Sequence, residues 1–259
     1  MIEQPLISII LPVHNAAETL SECVLSLLNQ SYKNIEVIAI DDFSKDNSYS
    51  ILKTLKKKSL PHGKTDKRLR VYKNVKRYGI GVTLNRLVKK ARGNYIAFMD
   101  TSDISSPNRL KKQLNFLLNN KDVVAVGSQC TFIDERGKKI GRSDFPTQNS
   151  LIYENPLHGI SMQFETVLIN KTLLPKDVLR FHTGSNPFIY SDIFIKIANY
   201  GKFANLKEFL HYHRNNPKIY LSDIKRNIVS LIKLWIKSKA LYEYNSPLRS
   251  FFSPVIKSA

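Results

Sequence analysis

Short apolar runs alternate along the first half of the chain with segments whose apolar residues recur at helical spacing. The runs have the length of buried strands and cover residues 6–11, 35–40, 69–72, 95–99 and 123–127. The helical segments lie between them, around residues 20–28, 49–55, 81–88 and 110–118. In the first of these helices the apolar positions are Leu20, Cys23, Val24, Leu27 and Leu28. This alternation predicts an α/β fold with a mostly parallel sheet flanked by helices.

Polar residues follow three of the predicted strands at the point where each strand ends. They are His14 and Asn15, then Asp41 and Asp42, then the segment 100–103. Parallel sheets bind ligands beyond the carboxyl ends of their strands. Each acid alone could be a turn or a helix cap, but three such groups on one edge favour a binding site.

The pattern becomes less regular after residue 130. Residues 132–140 predict a hairpin with its turn at Arg136 and Gly137, and residues 162–170 are strand-like. A helical stretch over 193–198 follows, then short strands at 203–205 and 209–212. We find no internal repeat and no low-complexity segment.

Composition excludes several classes of protein. Hydrophobic residues make up 42% of the 259 residues, so a disordered chain is excluded, and two cysteines are too few for a disulfide framework. No apolar run reaches the ~18 residues that a membrane span needs. The N-terminus also lacks the basic and small-residue features of a secretory signal. We therefore expect a cytoplasmic protein with reduced cysteines.

The net charge of +19 is the most unusual property of the composition. Residues 53–92 contribute +14 and residues 216–259 contribute +6. An excess of this size indicates a polyanionic partner, such as nucleic acid, an anionic membrane or a phosphorylated substrate. Because no helix-turn-helix, zinc or RNA-binding motif is present, we expect no nucleic-acid partner.

The C-terminal segment has the pattern of a basic amphipathic helix. Its apolar stripe comprises Ile224, Ile228, Leu231, Ile232 and Trp235. The basic residues Arg226, Lys233 and Lys237 are expected on the opposite face. Such a helix either docks on an anionic membrane or packs its stripe on the rest of the protein.

Paired carboxylates at the strand ends suit nucleotide-sugar chemistry. A carboxylate accepts hydrogen bonds from a uracil N–H or from ribose hydroxyls. A second carboxylate holds a divalent cation against a diphosphate and so helps the nucleotide to depart.

Several motifs resemble the family 2 glycosyltransferases in order and spacing. They are LISIILPVHN at 6–15, SLLNQSY at 26–32, EVIAIDDFS at 36–44, ARGNYIAFMD at 91–100 and PNRL at 107–110. The resemblance covers about residues 5–215 and is closest to bacterial enzymes of lipooligosaccharide, capsule or O-antigen synthesis. It implies an inverting enzyme with the Rossmann-like GT-A fold. The expected domain is 1–215, with a nucleotide-sugar half (1–103), an acceptor half (104–215) and a helical tail (216–259).

The resemblance also implies roles for individual residues. Asp42 would contact the uracil with Asp41 beside it, and Asn85 and Arg92 would help to close the donor site. The residues expected to bind the nucleotide-sugar are Pro12, Val13, His14, Asn15, Asp41, Asp42, Asn85, Arg92, Asp100 and Thr101.

The expected metal site departs from the family pattern. The family motif is Asp-x-Asp-Asp, whereas this chain has Asp100, Thr101, Ser102 and Asp103, so that a hydroxyl replaces the usual ligand. Mn²⁺ or Mg²⁺ would be held by Asp100, Ser102 and Asp103. Three alternatives stay open: Asp103 reaches the ion after a backbone shift, Asp100 holds it alone, or Lys and Arg replace the metal.

The expected general base is Asp192, which the resemblance places at the start of a helix. Ser191 replaces the companion Glu of the family, and Asp192 could instead be a helix N-cap. Arg214 matches a phosphate-binding Arg, while Asn216 stands where a His is common.

Together these features predict transfer of a hexose or N-acetylhexosamine from a UDP-sugar to a surface glycan or glycolipid. The alternative is a weak or inactive homologue that binds nucleotide-sugar or supports a partner transferase. The protein would be cytoplasmic, or peripheral on the inner face of the cytoplasmic membrane.

Overall fold

The computed structural model describes residues 4–58, 66–214, 226–245 and 250–251. In these residues nine strands form one sheet in the order β3-β2-β1-β4-β8-β6-β9-β5, with β7 paired to β6. The strands are β1 (Ile7–Val13), β2 (Ile35–Asp41), β3 (Leu69–Lys73), β4 (Tyr95–Phe98), β5 (Ile104–Ser105), β6 (Val123–Ile133), β7 (Lys139–Arg142), β8 (Leu168–Asn170) and β9 (Lys202–Arg214). The helices are α1 (Leu20–Leu28), α2 (Ser48–Lys58), α3 (Ile80–Lys90), α4 (Arg109–Asn119), α5 (Asn149–Glu154), α6 (Ile189–Ile197) and α7 (Ile228–Tyr242).

The predicted α/β arrangement is confirmed, and its regular part is the N-terminal half. Strand β1 lies between β2 and β4 and pairs with both in parallel, and β3 extends this parallel unit beyond β2. All five apolar positions predicted for α1 are buried. The spacing of apolar residues was sufficient here because these five residues recur on one side of the helix, and that side packs in the core.

Beyond β4 the sheet is mixed rather than mostly parallel. Strand β8 runs antiparallel to both β4 and β6, and β5 and β7 also pair in the antiparallel sense. Only the β6–β9 pair restores the parallel direction. An apolar run predicts a buried strand but carries no information on its direction, so the pattern left this part undetermined.

Two further predictions differ from the structure in detail. The strand-like segment 162–170 contains only the three-residue β8, preceded by a 3-10 turn at Phe164–Thr166. The two short strands expected near residues 203–212 are one continuous strand, β9.

Three apolar clusters hold the layers together. One packs α1, α2 and α4 on one face of the sheet, and a second packs α3 and α6 on the other. The third and smallest joins α7 to α6 through Leu231 and Leu234 against Phe188 and Ile195. The site therefore rests on a two-sided core, whereas α7 is held by a satellite cluster.

Helix α7 buries a face that overlaps the predicted stripe only at Leu231 and at the partly buried Trp235. Its buried residues are Leu231, Leu234 and Ser238, while Ile228 and Ile232 are each 40% exposed. Ile224 lies outside the described residues. Apolar residues occur nearly all round this helix, so its contact with α6 decides the buried face. None of the described helices has the length and apolar character that a membrane crossing requires.

Candidate active site

The carboxyl ends of β1, β2 and β4 meet at one edge of the sheet. The register pairs Val13 with Asp41 and Ile10 with Phe98, so the segments that follow these strands are neighbours. His14, Asp42 and Asp100 therefore lie at the same edge, as their positions after three strands predict.

Asp42 anchors the loop that precedes α3. Its Oδ1 accepts hydrogen bonds from Asn74 Nδ2 (2.7 Å) and from the Tyr78 backbone N–H (2.9 Å), and its Oδ2 accepts one from Gly79 N–H (2.8 Å). Burial opposes ionisation, but these hydrogen bonds hold the pKa of Asp42 below its ordinary value. Both carboxylate oxygens thus already have partners within the protein.

Asp41 has a buried carboxylate oxygen without a hydrogen-bond partner among the described residues. Its side chain is fully buried, and its Oδ2 accepts a long hydrogen bond from Ser44 N–H (3.3 Å). Within the described part of the chain, Asp41 Oδ1 has no hydrogen-bond partner. A buried carboxylate oxygen without a donor is costly, so this atom favours a ligand that brings an N–H or O–H group.

The turn after β1 fixes the histidine beside these acids. His14 Nδ1 lies 3.0 Å from the Asp42 backbone oxygen, and Asn15 Nδ2 lies 3.3 Å from His14 Nε2. Asn15 has a φ of 48°, a left-handed conformation that asparagine tolerates better than most residues. The imidazole is thereby held at the strand end, next to Pro12 and Val13.

Ser102 folds back onto Asp100. Its backbone N–H and its hydroxyl both donate to Asp100 Oδ1, at 2.8 and 2.7 Å. Burial raises the pKa of Asp100, and the negative charge of Asp103 raises it further. Thr101 forms the turn between them.

Asp103 is the centre of a cluster with two histidines of β9, in which Asp103 and His211 are fully buried and His213 is 13% exposed. Its Oδ2 lies 2.8 Å from His211 Nε2 and 2.9 Å from His213 Nδ1, and its Oδ1 accepts the Arg214 backbone N–H (2.9 Å). Although burial opposes it, the Asp103 charge raises the pKa of His213 to about 9. The reciprocal effect holds the pKa of Asp103 far below its ordinary value.

These three side chains could hold a metal ion. Their ligand atoms lie within 4.8 Å of one another, and one carboxylate with two imidazoles suits a borderline divalent cation better than Mg²⁺. Neither histidine was among the site residues predicted from the sequence. The signal was available, because alternate residues of a strand share one face and His211 and His213 are two positions apart.

A second buried pair lies behind this cluster. Glu165 Oε2 lies 3.2 Å from His158 Nε2, and Gln163 Nε2 bridges Glu165 Oε2 (2.6 Å) and His213 Nε2 (3.3 Å). Burial opposes ionisation, but the His158 charge lowers the pKa of Glu165 to about 2. The Ser191 hydroxyl accepts the His158 backbone N–H (2.9 Å) and so connects this network to α6.

Asp192 lies in the first turn of α6 and is 2% exposed. Its Oδ1 accepts hydrogen bonds from Lys237 Nζ (2.7 Å) and from the Tyr242 hydroxyl (3.2 Å), both on α7. Lys237 was expected on the basic face opposite the apolar stripe, and the orientation of α7 turns it towards this carboxylate.

Three other predicted residues have mainly connecting roles in this structure. Asn85 makes two hydrogen bonds of 2.8 Å to the backbone of Phe181. The Arg92 backbone N–H donates to Glu36, near the start of β1 and β2, so Arg92 is not brought to the edge that carries Asp41. Arg214 joins Ser102 O, the hairpin carbonyls at 134–135 and Glu22. Asn216 lies outside the described residues.

Comparison with known proteins identifies the family. The model of "Glycosyl transferase family 2" matches residues 8–175. An uncharacterized glycosyltransferase of Haemophilus influenzae is 38% identical over 177 residues, which are 68% of this chain and 66% of the relative. A second, from Methanocaldococcus jannaschii, is 32% identical over 235 residues, covering 86% of this chain and 76% of the relative.

Solved structures share the fold. S. aureus TarS 1–349 in complex with UDP-GlcNAc superposes with a TM-score of 0.68 at 19% identity, covering 95% of this chain and 72% of that one. The mannosyltransferase PcManGT of Pyrobaculum calidifontis, in complex with GDP-Man and Mn²⁺, also has a TM-score of 0.68, at 17% identity, covering 99% and 69%. The predicted GT-A architecture is thereby confirmed, with α7 as its C-terminal helical element.

Proposed function

This chain belongs to glycosyl transferase family 2, and we propose that it transfers a hexose or N-acetylhexosamine from a UDP-sugar to a hydroxyl of a surface glycan. The observation that carries this proposal is the convergence of Asp41, Asp42 and Asp100 at one edge of the sheet. Three solved structures that share this fold are complexes with UDP, UDP-GlcNAc or GDP-Man.

Asp41 is our candidate for reading the base of the donor. Its buried Oδ1 lacks a donor among the described residues, and a uracil N–H would supply one. Asp42 then holds the 74–79 loop in place. Arg86 on α3 contacts this loop, since its Nη1 donates a hydrogen bond of 2.6 Å to Asn74 Oδ1. Its guanidinium adds positive charge near the expected diphosphate.

In the proposed reaction Asp192 acts as the general base. The acceptor oxygen attacks C1 of the sugar while its proton passes to the Asp192 carboxylate. The bond from C1 to the diphosphate oxygen breaks at the opposite face, and UDP departs with the electron pair. The anomeric configuration is therefore inverted.

Asp103, His211 and His213 are the residues that fit a divalent cation. Bound there, such an ion would supply positive charge that offsets the developing charge of the departing UDP. Asp100 and Ser102 lie next to this cluster, since the Ser102 hydroxyl is 3.4 Å from Asp103 Oδ1.

We also propose that helix α7 binds the cytoplasmic side of an anionic membrane. A lipid-carried acceptor would be located in this membrane. The large exposed apolar residues of α7 are Ile228, Val229, Ile232, Ile236 and Leu241, and Lys233 and Lys239 are exposed beside them. This face differs from the predicted stripe but combines apolar and basic character in the same way. Binding to vesicles with anionic lipid, and not to neutral vesicles, would support this location.

A panel of UDP-sugars, each with and without Mn²⁺, tests the enzymatic proposal. We expect donor turnover with at least one sugar. Asp192→Asn should abolish turnover and leave UDP affinity unchanged, whereas Asp122→Asn, at an exposed acid paired with Lys202, should retain both. UDP binding without turnover of any donor would instead favour a non-catalytic homologue, a reading supported by Ser102 and Ser191 at positions where the family has acids.

A further inference from the structure

The C-terminal helix α7 contacts the side chain to which the proposed function assigns proton abstraction. Lys237 Nζ lies 2.7 Å from Asp192 Oδ1, and the Tyr242 hydroxyl lies 3.2 Å from the same atom. The three residues come from segments that are 45 and 50 positions apart. This contact is therefore made by tertiary packing and not by the local structure of either helix.

Packing on α6 places the ammonium group there. Leu231, Leu234 and Ser238 form the buried face of α7, and Lys237 stands beside that face. The Asp192 side chain is 3% exposed and that of Lys237 is 31% exposed, so the pair is largely shielded from water. Burial would lower the pKa of Lys237, but hydrogen bonds to Asp192 and Tyr242 raise it. The lysine thus remains charged against the carboxylate.

This arrangement opposes general-base catalysis. A base has to accept a proton in the transition state, and a hydrogen-bonded ammonium stabilises the ionised carboxylate in preference to the protonated one. The ammonium also occupies Oδ1, one of the two carboxylate oxygens that could take the proton. A carboxylate held in this way is a weaker and less accessible base than a free one.

We propose that Lys237 and Tyr242 form a latch that holds Asp192 in a resting state, and that α7 must release this carboxylate during each transfer. The latch rests on the proposed function, because it presupposes that Asp192 takes the acceptor proton. Lys237 and Tyr242 act through Asp192 and are positioning residues. The small apolar cluster under α7 is consistent with a helix that separates from the body at low cost.

Hydrolysis of the donor by water tests the latch with the full-length chain and needs no acceptor. In this reaction the water oxygen bonds to C1, the bond from C1 to the diphosphate breaks, and a water proton passes to Asp192. We expect Lys237→Met to raise the hydrolysis rate about tenfold or more, and Tyr242→Phe to raise it less. Lys111→Met removes the same charge from an exposed position of α4 and should leave the rate unchanged. Lys237→Arg keeps an ion pair and should stay near the wild-type rate.

The direction of the change separates a latch from a merely structural contact. If Lys237 only stabilises the fold, Lys237→Met lowers hydrolysis or leaves it unchanged beside an active wild type, and the latch alone is overturned. If neither protein turns over any donor, the proposed function fails and the latch fails with it. Deuterium uptake by α7 should rise in Lys237→Met but not in Lys233→Met, which removes a charge from an exposed position of the same helix. Equal uptake in both would also overturn the latch.

Discussion

Glu165 offers a quantitative test of the buried network behind the site. Its carboxylate is 8% exposed and pairs with His158 at 3.2 Å, and Gln163 donates a further hydrogen bond of 2.6 Å. Glu165→Gln removes the negative charge while keeping the shape of the side chain. The variant therefore reports on the charge of Glu165 rather than on packing.

The size of the effect follows from the pKa of Glu165, which is lowered from its ordinary value of 4.5 to about 2. A difference of this size corresponds to about 3 kcal/mol of folding free energy at neutral pH, because one pKa unit is about 1.4 kcal/mol. The folded-state pKa lies below the unfolded-state value, so the contribution is complete above that value. It is lost as the pH falls through about 2.

Urea unfolding of both proteins at several pH values measures this contribution. We expect Glu165→Gln to be less stable by about 3 kcal/mol at pH 7, with the gap narrowing to about 1.5 kcal/mol near pH 3. A gap that is constant across this range would mean that the charge of Glu165 contributes nothing specific. A gap that widens at low pH would reverse the sign and refute the assigned electrostatics.

Three further results follow from the same structure. Asp41→Asn should weaken UDP binding about tenfold to a hundredfold in calorimetry, since a hydrogen bond to a charged group is worth about 1.5–3 kcal/mol. An unchanged affinity would mean that Asp41 does not bind the uracil. Leu231→Ala should lower the free energy of unfolding by about 2–5 kcal/mol, whereas Ile232→Ala, on the exposed side of α7, should change it by less than about 0.5 kcal/mol. The reverse order would mean that α7 buries the side that carries Ile232. His213→Ala should weaken Mn²⁺ binding by about tenfold or more in a titration followed by electron paramagnetic resonance. Loss of a residue that only hydrogen-bonds to a metal ligand already costs that much affinity. Equal Mn²⁺ binding by both proteins would exclude the Asp103 cluster as the cation site.

The extent to which the sequence predicts this site differs between its two halves. The strand ends that carry His14, Asp42 and Asp100 could be located from the chain alone. Each follows an apolar run, and parallel strands place their carboxyl ends at one edge. The state of each acid could not be predicted, because hydrogen bonds from residues 74–79 satisfy Asp42 and leave Asp41 Oδ1 unused.

The second half depends on contacts between distant segments. Asp103 meets His211 and His213 across 108 and 110 positions, and Asp192 meets Lys237 across 45. The spacing of apolar residues along a helix or a strand does not predict contacts between segments so far apart. For the histidines the spacing showed only that they share a face of a strand, not which carboxylate that face would meet.

By itself the sequence determined the α/β class, the buried faces of helices such as α1 and the edge where three polar turns converge. These features follow from periods of two and about four residues, which reflect local backbone geometry. The tertiary structure decided the direction of β8, the face that α7 buries and the partner of Asp192. These depend on which surfaces meet after folding. In α7, where Ile228, Leu231 and Ile232 are all apolar, only the packing against α6 selects the buried face and turns Lys237 towards the carboxylate.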